Sequence, residues 1–359
     1  MNNYFDVIGI SSPGWELDKI SEQQGVKTIA IQMSRKPDLY KDILSLYRLT
    51  KELKNIAPNI VHTHTPKAGL LGMIAAYLNK VPIRLHTVAG IPWIEYKGFK
   101  RKIFMFIELF TYKLSTHIYC NSFQLMDFIL CNKLIEKSKI SVIGNGSSNG
   151  INTKYFCPTD ELINMSLKLK KDHSLSNEKV LIFVGRLVKD KGIEELIEAF
   201  VTIKLTIPNL KLLLVGPFEP HRDQLTSKTL EIIKSDPDII VTGYVEDIRP
   251  YLCLSHLLVL PSYREGFPNV PMQAGAFGVP SIVTNINGCN EIIIEGVNGI
   301  LIRPKNSEDL TKSIIKILID SDFYNRLSMN CRKLIVDRFE QENLWNKILV
   351  DYNLQLEKL

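Results

Sequence analysis

The stretch that decides the fold is Val180–Gly192, which reads VLIFVGRLVKDKG. A β-branched apolar run leads into a loop that carries Arg186 and Lys191 and is bounded by Gly185 and Gly192, and a helical pattern follows. Outward from this stretch, apolar runs and helical patterns alternate through almost the whole chain. That alternation predicts parallel βαβ units.

Six strands are predicted in each half of the chain, with helices such as Asp38–Ala57 and Ala68–Leu78 between them. The strands are expected at Phe5–Ile10, Thr28–Ile31, Ile60–His62, Ile83–His86, Ile118–Cys120, Ile140–Ile143, Val180–Val184, Lys211–Val215, Ile239–Thr242, Leu257–Leu260, Ser281–Thr284 and Gly299–Ile302. We therefore predict an α/β protein with two Rossmann-like, doubly wound parallel-sheet domains. A cleft is expected where the carboxyl ends of their strands face each other.

The boundary between the domains is expected in Gly144–Tyr155, a cluster of Gly, Asn and Ser without periodicity. The domains are predicted at residues 1–150 and 151–335, followed by a helical segment at 336–359. That last segment is amphipathic, so it either closes the second domain or crosses back to the first.

Composition excludes several classes of protein. In 359 residues we find no secretory leader and no apolar run of the roughly 18 residues that a membrane helix needs. The six cysteines are scattered without metal-ligand spacing, as expected of a cytoplasmic protein with reduced thiols. Residues 1–150 carry 19 Lys and Arg against 11 Asp and Glu, so the basic first half predicts an anionic partner. No nucleic-acid recognition motif accompanies these charges.

Two loops carry the residues expected to do chemistry. In Ser262–Gly275 (SYREGFPNVPMQAG), Glu265 follows a predicted strand and a helix starts at about Asn269. The amino terminus of a helix suits a diphosphate, and a carboxylate suits sugar or ribose hydroxyls. In the other loop, Arg186 and Lys191 would neutralise a diphosphate and stabilise it as a leaving group. A solvated loop glutamate and a surface basic loop are the simpler interpretations.

These segments resemble, in order, the second half of retaining GT-B glycosyltransferases, in particular glycosyltransferase family 4. The matching pieces are the GRL…K loop, the LLLVG strand end, VTGYV, REGFPNV, TNINGCNE and NGILIRP. The resemblance implies that Arg186 and Lys191 hold the donor diphosphate and that Glu265 holds the donor sugar. It implies ribose contact by Gln273. Further donor-binding positions by the same resemblance are Gly216, Tyr244, Val245, Gly266 and Phe267.

The resemblance also implies a mechanism without a metal, in which the donor phosphate deprotonates the acceptor. Two D-x-D triplets, Asp236–Asp238 and Asp320–Asp322, are therefore interpreted as turns or helix caps and not as metal sites. Uridine is the first expectation for the base of the nucleotide-sugar, and guanosine the second.

In the first half, HTHTPKAGLL, RLHTVAGIP and GNGSSNGINTKYF are similar to the branch of the family that builds capsule and O-antigen. The resemblance implies a polyprenyl-diphosphate-linked glycan as acceptor, at the inner face of the cytoplasmic membrane. Lys97, Lys100, Arg101 and Lys102, with Trp93, Tyr96, Phe99 and Phe104 nearby, would meet anionic headgroups. An ordinary amphipathic core helix is the alternative for this segment.

The chain departs from the family pattern at three places. Gln273 stands where the family usually has Glu. A T-x-H-G histidine is replaced by Ala89, which leaves His86 as the nearest imidazole and a candidate catalytic residue. The strand that normally opens the first domain is expected to be missing, since the chain begins at what looks like the second. A nucleotide-sugar epimerase and a noncatalytic sugar-nucleotide binding protein remain alternative functions.

Overall fold

The structure is a computed structural model that describes residues 1–34, 38–219, 221 and 223–359. Every predicted strand is present, with ends that differ from the prediction by three residues at most. The strands are β1 (Ile8–Ser11), β2 (Lys27–Ala30), β3 (Ile60–Thr63), β4 (Ile83–Val88), β5 (His117–Cys120), β6 (Ile140–Val142), β7 (Lys179–Val184), β8 (Leu210–Val215), β9 (Ile239–Gly243), β10 (Leu257–Leu260), β11 (Ser281–Thr284) and β12 (Gly299–Ile302).

Helices connect these strands, as βαβ units require. They are α1 (Trp15–Gln24), α2 (Leu39–Ile56), α3 (Pro66–Leu78), α4 (Gly98–Leu114), α5 (Phe123–Cys131), α6 (Asp160–Asp172), α7 (Ile193–Lys204), α8 (Ser227–Ser235), α9 (Arg249–Leu254), α10 (Asn269–Ala276), α11 (Cys289–Ile292), α12 (Ser307–Ile319), α13 (Ser321–Phe339) and α14 (Gln341–Leu356). Among the described residues, none of these helices combines the length and the apolarity needed to cross a bilayer.

The chain divides into two compact units, and the second unit comprises Asn149–Asn343. Its six parallel strands lie in the order β12-β11-β10-β7-β8-β9. Side chains that alternate along β7 and β8 enter two separate apolar clusters, one on each face of the sheet. Helices therefore cover both faces, which confirms the predicted doubly wound α/β class.

The strand order reverses at β7, which has β8 on one side and β10 on the other. In an open parallel sheet, ligands bind outside the carboxyl ends of the strands where the order reverses. The loops that follow β7 and β10 are therefore the expected place for a ligand in this unit.

The first unit comprises Met1–Ser148 and Leu344–Leu359. Its parallel strands form two sheets, β1-β2 and β3-β4-β5-β6. The strand β1 begins at Ile8 and not at the predicted Phe5, because the backbone N–H groups of Tyr4 and Phe5 both donate to the Met1 carbonyl and form a turn. The helix α2 packs against α3, and α3 packs against α4.

The carboxyl-terminal part of α14 packs on the sheet of the first unit. Tyr352 and Leu356 contact a cluster that includes Leu85 and Tyr119. The Tyr352 hydroxyl also forms a hydrogen bond with Nδ1 of His62. The predicted amphipathic face thus buries its apolar residues against β4 and β5.

Candidate functional site

The loops after β7 and β10 lie against each other. The Tyr263 backbone N–H donates to the Asp190 carbonyl at 2.9 Å. Gly192 has a left-handed backbone with φ of 70°, and a methyl group there would lie 2.2 Å from the Pro261 carbonyl oxygen. Only glycine permits both the conformation and the approach, which explains the glycine that ends the GRL…K loop.

This approach brings Lys191 and Glu265 together. Lys191 Nζ lies 2.6 Å from Glu265 Oε1, and the two side chains are only 17% and 13% exposed. Neighbouring atoms cover most of both side chains, so the contact holds each of them in one position. The lysine thus presents its remaining N–H donors, and the glutamate its second oxygen, beside the carboxyl ends of β7 and β10.

A second set of contacts holds the two loops in register. Arg264 forms a 3.0 Å ion pair with Asp190. The Tyr263 hydroxyl donates to Glu195 at 2.7 Å, and burial together with this carboxylate raises the pKa of Tyr263. These contacts, made by residues close to Lys191 and Glu265 in sequence, therefore hold the two loops together.

The end of β11 and the loop that follows it contact the Glu265 loop. Asn287 Nδ2 donates to the Gly266 carbonyl at 2.9 Å, and Thr284 Oγ1 donates to the Ser262 carbonyl at 2.5 Å. A methyl group at Gly288 would lie 2.1 Å from the Gly266 oxygen. Residues 284–288 (TNING) therefore position the Glu265 loop through contacts with its backbone carbonyl groups.

Arg186 lies on the same loop as Lys191 but has a different partner. Its Nη1 lies 3.2 Å from Glu219 Oε2, and both side chains are about one-third exposed. A methyl group at the neighbouring Gly216 would lie 1.9 Å from the Gly185 carbonyl oxygen, so the ends of β7 and β8 need glycine to come this close. Arg186 is accessible, and a phosphate could replace Glu219 as its partner.

Gln273 is half-buried on α10, the helix that starts after the Glu265 loop. Tyr244 is 76% exposed after β9, whereas Val245 packs against an apolar cluster. The Phe267 ring is half-buried and packs edge-on against Phe339, with 5.7 Å between the ring centroids. The ribose and base contacts expected of these residues remain predictions.

His86 lies in β4 of the first unit and is 5% exposed. Its Nδ1 forms a 2.8 Å hydrogen bond with Thr63, and its ring fills the space beside Gly69 of α3. Burial lowers the pKa of His86 to about 4. A neutral, covered imidazole fits a packing role better than contact with a substrate, and its catalytic role remains a prediction.

The acidic triplets contact lysines and helix ends. Asp236 and Asp238 both lie within 2.8 Å of Lys204 Nζ, and Asp320 accepts the Phe323 N–H at the start of α13. These contacts agree with their interpretation as turns and caps.

The sequence singled out Lys191 and Glu265 separately, but it did not predict that they pair, and it missed the residues that position them. Asp190 lies in the loop after β7, Glu195 in the first turn of α7 and Tyr263 in the loop after β10, so their contacts join segments distant in sequence. The adjacency of β7 and β10 would have revealed them, but the order of strands in a sheet is not visible in the sequence.

Two families match the chain. The family described as Glycosyltransferase Family 4 matches residues 4–148, and the family described as Glycosyl transferases group 1 matches residues 166–334. The two matches divide the chain where the two compact units meet in sequence.

Similar curated proteins include CapM of Staphylococcus aureus, a capsular polysaccharide biosynthesis glycosyltransferase. It is 33% identical over 354 residues, which covers 98% of this chain and 91% of the relative. Another is the UDP-Gal:alpha-D-GlcNAc-diphosphoundecaprenol alpha-1,3-galactosyltransferase of Escherichia coli, which is 31% identical over 86% of this chain and 78% of its own length.

Solved structures share the fold. HepE of Anabaena in complex with UDP superposes with a TM-score of 0.82 at 18% identity, covering 96% of this chain and 91% of that one. A glycosyltransferase from Rickettsia africae gives a TM-score of 0.80 at 22% identity, covering 98% and 90%. At these identities the likeness shows the fold alone.

Proposed function

The chain belongs to the family 4 glycosyltransferases, and on that premise we propose that it transfers a sugar, with retention and without a metal ion, from a UDP-sugar to a polyprenyl-diphosphate-linked glycan. The proposal that the chain binds a nucleotide-sugar donor is supported by the Lys191–Glu265 ion pair. This pair lies in the loops after β7 and β10, where the order of the strands in the sheet reverses. A cation and a carboxylate side by side match a ligand that carries a diphosphate next to a sugar.

The donor would exchange contacts that the site already makes. The ion pair between Arg186 and Glu219 breaks, and the Arg186 guanidinium binds the diphosphate. Lys191 remains paired with Glu265 and also donates to a phosphate oxygen. The second Glu265 oxygen accepts from a hydroxyl of the donor sugar. Gln273 bonds a ribose hydroxyl, and the backbone near Tyr244 and Val245 contacts the base.

The chemical step moves one sugar. The acceptor hydroxyl oxygen forms a bond to the anomeric carbon on the face from which the diphosphate leaves. The bond between that carbon and the phosphate oxygen breaks, and the hydroxyl proton passes to the departing phosphate. Arg186 and Lys191 stabilise the negative charge that develops there, which is where preorganised cations act most strongly.

The acceptor class is supported by the relatives. The Escherichia coli relative acts on a glycan linked to diphosphoundecaprenol, and so does a Campylobacter jejuni relative that is 27% identical over 90% of this chain. We assign the acceptor to the first unit, whose excess of basic residues suits a lipid diphosphate at an anionic surface.

We place the protein at the cytoplasmic face of the inner membrane, with α4 as a contact. The exposed side chains of Phe99, Ile103, Phe106 and Phe110 lie within about 60° on this helix at 100° per residue. Lys100 and Lys102 flank them. Of the aromatic residues expected at this surface, Trp93 packs in the core, Tyr96 and Phe104 are partly buried against it, and Phe99 is largely exposed.

The test measures release of UDP with and without a lipid-linked acceptor, in the presence of a chelator. We expect release that depends on the acceptor and continues with the chelator. Release without acceptor would favour an epimerase. Tight UDP binding without turnover on any acceptor would favour a noncatalytic binding protein.

A further inference from the structure

The first unit contains a cavity of about 170 Å³ that the donor site does not use. Its lining includes His62, Thr87 and Asn121 on the side of the sheet, and Trp345 and Tyr352 of α14 on the other side. The sheet residues lie at the carboxyl ends of the parallel strands β3, β4 and β5, which is where open parallel sheets bind ligands. We call this space the α14 cavity.

Asn121 gives the α14 cavity a buried hydrogen-bond acceptor without a partner. The residue is 4% exposed, and its Nδ2 donates to the Ala89 carbonyl at 3.4 Å, which fixes the orientation of the side-chain amide. Its Oδ1 has no hydrogen-bond partner among the described residues. A buried acceptor without a donor is costly, so a ligand that donates a hydroxyl group would satisfy it.

Ser147 holds Asn121 in place and is itself strained. The Ser147 backbone N–H donates to the Asn121 carbonyl at 2.7 Å, while the Asn121 N–H donates to the Val88 carbonyl. Ser147 lines the cavity with a left-handed backbone, φ of 70°, although it is not a glycine. Such conformations persist where the surrounding contacts impose them, and they cluster at binding sites.

His64 adds an imidazole that is available to a ligand. Its ring packs on the His62 ring with 4.2 Å between the centroids, and it lines the cavity. It forms no hydrogen bond with another residue in the part of the chain that the structure describes. A neutral imidazole both donates and accepts, so it suits a second hydroxyl group.

Hydrogen bonds hold α14 as the opposite wall of the cavity. The Tyr352 hydroxyl forms a hydrogen bond with Nδ1 of His62, and the Tyr119 hydroxyl donates to Asp351. Trp345 lies about two turns before these residues on the same helix, lines the cavity and is exposed. The wall is therefore fixed and presents an accessible aromatic ring.

The chemistry of the lining fits a neutral sugar. Among the described residues that line the cavity there is no Asp, Glu, Lys or Arg, and burial lowers the pKa of His62 and His64, which keeps both imidazoles neutral at pH 7. A diphosphate needs cations, and a polyprenyl chain would leave Oδ1 of Asn121 unsatisfied. At about 170 Å³ the cavity is smaller than the roughly 300 Å³ at which sites for drug-sized ligands begin, so it suits a single ring.

We propose that the α14 cavity binds one neutral sugar ring of the glycan acceptor. A ring hydroxyl donates to Oδ1 of Asn121, another forms a hydrogen bond with His64, and a C–H face of the ring packs on Trp345. This inference rests on the proposed function, which makes a glycan the acceptor. It makes α14 a determinant of which glycan the protein accepts.

The experiment measures binding of free sugars to the whole chain by saturation-transfer NMR. The probes are glucose, galactose, N-acetylglucosamine and N-acetylgalactosamine, each titrated in the presence of UDP. The test variants are Asn121→Leu and Trp345→Ala. Their matched controls, Asn132→Leu and Trp15→Ala, change exposed residues of the same unit outside the cavity, and Glu265→Ala removes the proposed contact to the donor sugar.

We expect at least one sugar to bind the parent, both controls and Glu265→Ala alike. Asn121→Leu should bind it about tenfold more weakly, because the buried acceptor is lost, and Trp345→Ala about fivefold more weakly. Circular dichroism and UDP titration check that each variant is folded.

Three results would overturn the inference: no binding of any sugar, binding that neither test variant weakens, or displacement of the sugar by inorganic pyrophosphate. Loss of binding in Glu265→Ala alone would belong to the second of these, since the sugar then occupies the donor site. The proposed function is tested separately, because this binding requires no transfer. A parent that transfers a sugar but fails these titrations would leave the proposed function standing, whereas sugar binding in the cavity without transfer would contradict the proposed function alone.

Discussion

At the scale of single residues, the donor site depends on a lysine and a glutamate that come from different strands. The Lys191–Glu265 contact of 2.6 Å needs the loops after β7 and β10 to touch, which Gly192 permits. Both residues were identified from the sequence because their loops follow apolar strands. Their pairing was not, because it depends on which strands are neighbours.

Removal of a single cation tests the diphosphate assignment. Arg186→Ala and Lys191→Ala should each weaken UDP binding by roughly 2–5 kcal/mol, because each removes a charged contact to the bound diphosphate. Lys191→Ala also leaves Glu265 without its cation. Isothermal titration of UDP measures both changes.

Lys189→Ala is the matched control for these variants, since Lys189 lies on the same loop but pairs with Glu194 at 3.1 Å. It should bind UDP as the parent does. Loss of affinity in Lys189→Ala equal to that in Lys191→Ala would mean that only the general charge of the loop matters.

At the scale of elements, the sequence predicted every strand, because β-branched runs bounded by helical patterns are a local signal. It missed the local turn at Met1–Phe5, after which β1 begins at Ile8. It also placed Trp93 and Phe104 at a membrane surface, although Trp93 is buried and Phe104 is partly buried against the same cluster. The burial of these two side chains depends on residues distant in sequence, such as Ile118 and Ile129.

The contact between the loops of β7 and β10 is tested with Gly192→Ala. The added methyl group would lie 2.2 Å from the Pro261 oxygen, whereas at Gly296, which has nearly the same φ of 71°, it would meet no atom within 4 Å. We expect Gly192→Ala to lower the free energy of unfolding by about 1–3 kcal/mol more than Gly296→Ala. UDP affinity should fall with it, because Lys191 moves.

Denaturant unfolding followed by circular dichroism compares these two variants. Equal stability and equal UDP affinity would mean that the loops do not touch as described.

At the scale of the whole molecule, the first unit should lose stability as the pH falls. His86 is neutral in the folded first unit, since burial lowers its pKa to about 4, and burial also lowers the pKa of His62. The unfolded chain takes up protons at these histidines below about pH 6.5. The free energy of unfolding of this unit should therefore fall as the pH drops from about 6.5 towards 4, by up to about 1.4 kcal/mol per pH unit for each such histidine.

Tryptophan fluorescence isolates this unit, because Trp15, Trp93 and Trp345 all belong to it. The variant His86→Gln should unfold more easily at pH 7.5 but show a shallower dependence on pH. A slope unchanged by His86→Gln would mean that this histidine is protonated in the folded state.

The central claim is that the chain transfers a sugar to a lipid-linked glycan, and mass spectrometry of the acceptor tests it most directly. The parent protein is incubated with a polyprenyl-diphosphate-linked glycan and a panel of UDP- and GDP-sugars, with Glu265→Ala and Arg186→Ala in parallel. We expect the acceptor to gain the mass of one sugar from a UDP-sugar with the parent and far less with either variant. An unchanged acceptor with every donor, or the same gain with both variants, would contradict the account.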